Sequence, residues 1–245
     1  MKKLYQKSEI TFAILWIVAY LILTSIADQL SEAVGVMKSV TAALHVVMSL
    51  VLFLWIRKNQ LGRKYGFCRP EVTARRFLYY VPLILIASTA FWGGIKLECS
   101  IPEAVLFIIS MCCVGFLEEV IFRGLLFRAM EKDNLSSAIL VSSLTFGIGH
   151  IVNLFNGSGR DLAATLIQIV FAILIGFILV WTFYHGKSMI PCILFHSVNN
   201  ALKVFAAEGG LSPQKEMIIN LVIIVVVLGG YIFYLVKAFP IKAKR

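Results

Sequence analysis

The sequence predicts an all-α, polytopic membrane protein of about eight transmembrane helices around a polar intramembrane cavity, and three observations carry that prediction. Of its 245 residues 60% are hydrophobic and only 15% are charged, with a mean hydropathy of +0.88. Soluble domains carry about a quarter charged residues. Apolar runs of about eighteen residues or more recur along the chain, each long enough to cross a hydrocarbon core of roughly 30 Å. Lys and Arg gather between these runs, above all from Arg57 to Arg76.

Eight spans follow in order. Ile10–Ala27 comes after the basic start Lys2, Lys3 and Lys7, and Met37–Ile56 ends against Arg57 and Lys58. Phe77–Ile95 begins after Arg75 and Arg76, while Pro102–Met130 opens on a proline suited to a first helical turn. Ser136–Phe155, Leu162–Tyr184 and Met189–Ala206 are separated by short polar connections. Met217–Val236 follows the turn residues Gly209, Gly210 and Pro213. The chain divides into residues 1–95, three spans with the basic loop; 96–208, a helical domain with the chemistry-bearing motifs; and 209–245, a last span and basic tail.

Basic loops remain on the cytoplasmic side. The loop holding Arg57, Lys58, Arg63, Lys64, Arg69, Arg75 and Arg76 is therefore expected inside, and alternation places both termini inside with it. Lys242, Lys244 and Arg245 agree. The first span, with Ser25-Ile26-Ala27 at its end, imitates a signal peptide but is long for one, and is read as retained. The net charge of +10 is explained by this topology, and no recognition motif accompanies it, so nucleic acid is not an expected partner. The five cysteines form no CxxC pair and give neither a disulfide framework nor a thiolate zinc site.

Against this apolar background the stretch EEVIFR places Glu118, Glu119 and Arg123 inside the fourth span. Each charge near the bilayer centre costs roughly 2.5–3.5 kcal/mol on insertion scales. At 100° per residue, Glu119 and Arg123 lie about 40° apart and form an intrahelical pair. Glu118 lies about 140° from Arg123 and needs a partner on another helix. Of the four histidines, two stand out. His150 closes FGIGH in the fifth span, one turn after Phe146; His196 opens HSVNN in the seventh, one turn before Asn200. His45 reads as a single imidazole bonded to a neighbouring helix, and His185 as a loop residue. Depth counted along the helices permits a shared site in the middle to cytoplasmic half of the membrane.

A carboxylate beside an imidazole can hold a water and take its proton, which suffices for hydrolysis without a covalent nucleophile. His196 and Asn200 on one face offer donors to an oxyanion. No cofactor is required by this set. The rival chemistry is a zinc site made from Glu118, His150 and His196, with a fourth position open. Intramembrane Glu and His residues also line proton pathways, which keeps a proton-coupled transporter in view.

Together, EEVIFR, Phe146 to His150 and His196 to Asn200 resemble the three motifs of the CAAX-protease and bacteriocin-processing family of intramembrane proteases, also called CPBP or Abi. The resemblance covers roughly Ile101 to Ala207. It implies an eight-span fold with a cavity open to the membrane or cytoplasm, and an intramembrane endopeptidase. Glu118 and His150 would activate water, His196 and Asn200 would stabilise the oxyanion, and Glu119 and Arg123 would hold the architecture. Some members are labelled metalloproteases and others look glutamate-dependent. The implied partner is a peptide or membrane-protein substrate in the lipid bilayer; bacteriocin self-immunity or a membrane scaffold is the alternative role. A chain of this size fits a bacterial plasma membrane.

Overall fold

In the computed structural model, which describes residues 1–78, 80–154, 162–207 and 209–241, the chain is a bundle of helices. A short α1 (Lys2–Lys7) leads into α2 (Glu9–Val34), which starts where the Ser8 side chain accepts from Thr11 N at 3.1 Å. That contact satisfies one of the free amides of a first turn. The helix stops at Gly35, whose φ of 73° reverses the chain. The next long helix is α3 (Ser39–Lys58), followed by a short α4 (Ala74–Phe77) and then α5 (Tyr80–Ser88) with a 3₁₀ turn to Phe91.

The central element is α6 (Ile101–Glu118), entered through a capping box between Ser100 and Glu103. It continues as a π-helix, Glu119–Phe127, and ends in α7 (Arg128–Met130). All nine residues of the π segment are buried. Then come α8 (Leu135–Ile148) with a 3₁₀ extension Gly149–Leu154, α9 (Leu162–Gly186), and α10 (Ile190–Ala201) with the 3₁₀ turn Leu202–Phe205. The last pass is α11 (Pro213–Val222), a π segment to Leu228, and α12 (Gly229–Ala238).

Six helical stretches are long and apolar enough to cross a membrane: Glu9–Val34, Ser39–Lys58, Ile101–Met130, Leu135–Leu154, Leu162–Gly186 and Gln214–Ala238. The expected third span is shorter than 77–95, and the seventh is an α-helix closed by a 3₁₀ turn. Leu78 adopts a left-handed φ of 52°, which separates α4 from α5 and leaves Val81–Phe91 as the apolar helix. The other segment ends at Ala206, where the backbone becomes extended and pairs with Ile95. There Lys96 N donates to Phe205 O at 3.0 Å and Ala207 N to Gly94 O at 3.2 Å, so each short segment satisfies the other's backbone. Phe155 and the tail residues Lys242, Lys244 and Arg245 lie outside the described residues.

The core is a continuous apolar layer around the π segment, with Leu117, Val120, Ile121, Phe122, Leu125 and Phe127 at its centre. Packing against it is close because small residues sit at the crossings. A Cβ on Gly115 would lie 2.6 Å from Ser197 N, and one on Gly147 would lie 2.8 Å from Ile173 N. In lipid, such small-residue contacts replace the hydrophobic drive between helices. The outward faces of α2 and α3 carry exposed Ile14, Val18, Ile22, Leu50 and Leu54, as a lipid-facing surface requires.

The two ends of the bundle are distinct. At one end Lys64, in the basic segment, donates to Glu9 Oε2 at 2.7 Å and to the Tyr5 hydroxyl at 2.6 Å. At the other, Lys38 Nζ donates to Asp28 at 2.7 Å, and Glu103 accepts from Met37 N at 3.0 Å.

Candidate active site

Glu118 is the last residue of α6 and Glu119 the first of the π-helix, so the pair straddles a change of helical pitch. Widened turns of this kind recur at functional sites. Glu119 and Arg123 are fully buried and meet at 3.2 Å, the intrahelical pair that the spacing predicts. Arg123 also stands 4.1 Å over the Phe146 ring and donates to Gly176 O at 3.4 Å. The guanidinium is thus enclosed by a carboxylate, an aromatic face and a carbonyl.

His196, presented by α10 and buried, lies between the two carboxylates. Its Nδ1 donates to Glu119 Oε1 at 2.8 Å, and its Nε2 lies 3.4 Å from Glu118 Oε2. Glu119 therefore serves two partners, Arg123 and His196, where the sequence reading gave it one. Glu118 also finds the off-helix partner it needs, and finds two of them. Its second is Tyr20 of α2, whose hydroxyl donates to Oε1 at 2.7 Å.

His150 is not in the body of a helix. It sits in the 3₁₀ extension after α8, with Nδ1 3.1 Å from Phe146 O. A carbonyl accepts from N–H, so this contact leaves Nε2 with its lone pair. Phe146 joins the set physically: its ring lies edge-on to His150 at 5.5 Å and to His196 at 5.8 Å.

Glu118, His150 and Phe146 line one cavity of about 170 Å³, together with Tyr20, Thr24 and His45. The cavity extends to Asp28, Lys38 and Asn153. These residues stand toward the end of the bundle opposite the basic segment. His196 lies behind Glu118 rather than in the cavity wall, and Asn200 is half-buried on α10 and does not line this cavity. His45 is bonded as expected, with Thr24 Oγ1 at 3.1 Å and Ser110 Oγ at 3.0 Å.

Among the described residues no three His, Cys, Asp or Glu side chains are grouped as metal ligands. Of the zinc set expected from the sequence, His196 has Nδ1 bonded to Glu119 and Nε2 3.4 Å from Glu118 Oε2, while His150 keeps the lone pair on Nε2.

Sequence reasoning missed Tyr20. Its signal was present: Tyr20, Thr24 and Asp28 recur every fourth residue on the first span and form a polar stripe on one face of an otherwise apolar helix.

Comparison with curated proteins and with solved structures gave no significant match. The family model described as type II CAAX prenyl endopeptidase Rce1-like matches residues 100–202, the stretch that contains Glu118, His150 and His196. Over those residues the chain is similar to the Rce1-like family of CAAX proteases, and six of its helical stretches are long and apolar enough to cross a membrane.

Proposed function

We propose that the protein is an intramembrane endopeptidase that hydrolyses a peptide bond with water activated by Glu118 and His150. The observation that carries this reading is the shared cavity. A carboxylate held by groups from two other helices faces the same space as an imidazole whose Nδ1 is tied to a backbone carbonyl. Both groups are thus oriented before substrate arrives, as general base catalysis requires.

The Glu118 carboxylate takes a proton from a water held between it and His150 Nε2. The resulting hydroxide adds to the carbonyl carbon of the substrate, and the carbonyl oxygen becomes an oxyanion. In this reading His196 carries a proton on both ring nitrogens, giving Nδ1–H to Glu119 and Nε2–H to the oxyanion. Its 3.4 Å contact with Glu118 is longer than the 2.7–2.9 Å of a charge-assisted hydrogen bond, so a substrate oxygen can claim it. Asn200, one turn along α10, is the second donor in this reading. Collapse of the tetrahedral species breaks the C–N bond, and the proton held by Glu118 passes to the leaving amine. Glu119 and Arg123 fix His196 from behind.

The substrate is a peptide or a membrane protein. With the basic segment 57–76 in the cytoplasm and both termini beside it, the mouth of the cavity at Asp28 and Lys38 faces the outer side of a bacterial plasma membrane. The scissile bond then enters from that side.

The test uses purified full-length protein and a panel of quenched fluorescent peptides, one of them a prenylated CAAX peptide. Wild type cleaves at least one; Glu118→Gln and His150→Ala, at equal folded protein, do not. If both variants retain wild-type cleavage, or retain the cellular phenotype, the role is binding, as a self-immunity or scaffold protein would perform.

A further inference from the structure

We infer that Tyr20, on a helix outside the family-matched residues, is a positioning residue that sets the Glu118 carboxylate for proton transfer. The inference rests on the peptidase reading above and adds a residue to it. Tyr20 is buried, and its hydroxyl donates to Glu118 Oε1 at 2.7 Å. Glu118 ends α6 with three side-chain bonds to turn about, and His196 is a loose contact at 3.4 Å. The tyrosine hydroxyl is therefore the shorter of the two contacts that fix the carboxylate plane.

Tyr20 is itself fixed. Its ring stacks on His45 at 5.9 Å with an interplanar angle of 30°. His45, on α3, is pinned between Thr24 of α2 and Ser110 of α6. Ser110 lies two helical turns before Glu118, so the chain Ser110, His45, Tyr20, Glu118 closes a loop between α2, α3 and α6. This accounts for the buried imidazole of His45 and for the polar stripe on α2. The Tyr20 hydroxyl thus holds Oε1 in place, and Oε2 is the oxygen that faces His196. The first two long helices thus supply a working part of the site, although every motif lies in the later half of the chain.

Tyr20→Phe tests this, because it keeps the ring, its burial and its stacking on His45 and removes only the donor. The other groups facing Glu118 are unchanged: Glu119 and Arg123 on the π-helix, His196 on α10, His150 after α8, His45 on α3, and Asp28 and Lys38 along the cavity. Activity is measured per folded molecule on the peptide that wild type cleaves. The expected result is a kcat lower by about tenfold or more, the loss typical of one hydrogen bond to a charged group, with KM unchanged. An unchanged kcat overturns the inference. So does a loss of activity that follows the loss of folded protein while the remaining folded molecules keep wild-type turnover. If wild type cleaves no peptide of the panel, the peptidase reading fails and this inference falls with it.

Discussion

Replacing Glu119 with Gln removes one charge from the most enclosed ion pair in the protein. Glu119 and Arg123 have no exposed side-chain area, and their 3.2 Å contact is the guanidinium's only carboxylate partner among the described residues. Gly176 O, at 3.4 Å, and the Phe146 face at 4.1 Å are what remains to it. Removing one member of a buried pair costs about 3–5 kcal/mol, because the other charge stays in place without compensation. Glutamine keeps an oxygen that can accept from His196 Nδ1, so the loss is carried mainly by Arg123. The assay is thermal unfolding in detergent, followed by size-exclusion fluorescence, together with abundance in membranes. Glu119→Gln should melt well below wild type and accumulate poorly, and Glu119→Gln/Arg123→Met should recover part of the loss. Wild-type melting of the single variant, or additive losses in the double variant, would refute the division of labour between Glu118 and Glu119.

Three further outcomes follow from the same geometry. Gly115→Val pushes α6 from α10, since a Cβ there already meets Ser197 N at 2.6 Å; overpacking of about 1–3 kcal/mol should lower both stability and cleavage, measured by melting and peptide turnover. Cleavage should survive chelators, because water activation by Glu118 and His150 calls for no metal; loss on chelation with recovery on added zinc would replace water activation by metal chemistry. In a background without native cysteines, Asn153→Cys should react with an impermeant maleimide added outside intact cells, whereas Arg69→Cys should react only after the membrane is opened. The reverse pattern would turn the cavity toward the cytoplasm.

The membrane class and the Glu119–Arg123 pair were legible because they depend on local quantities, apolar run length and spacing along one helix. The third pass was misjudged in length for a related reason. Hydropathy counts apolar residues but does not see the left-handed turn at Leu78 or the extended pairing of Ile95 with Ala206. The double duty of His196 was not legible at all. The 100° rule that separated Glu118 from Glu119 assumes an α-helix, and the chain becomes a π-helix at Glu119, where one imidazole reaches both carboxylates. Tyr20 was legible in principle. The Tyr20, Thr24, Asp28 stripe is a periodic polar signal, and Asp28 is a charge that an apolar span does not keep without a partner; Lys38 and Thr41 supply it.

The central claim is that Glu118 is the base, and the most direct measurement is turnover of a cleaved peptide by wild type and Glu118→Gln at matched folded concentration. Loss of a general base costs about 10²–10⁴-fold in rate, so the variant should fall by at least the lower figure while melting close to wild type. Cleavage by Glu118→Gln within a few-fold of wild type would remove the base and contradict the account.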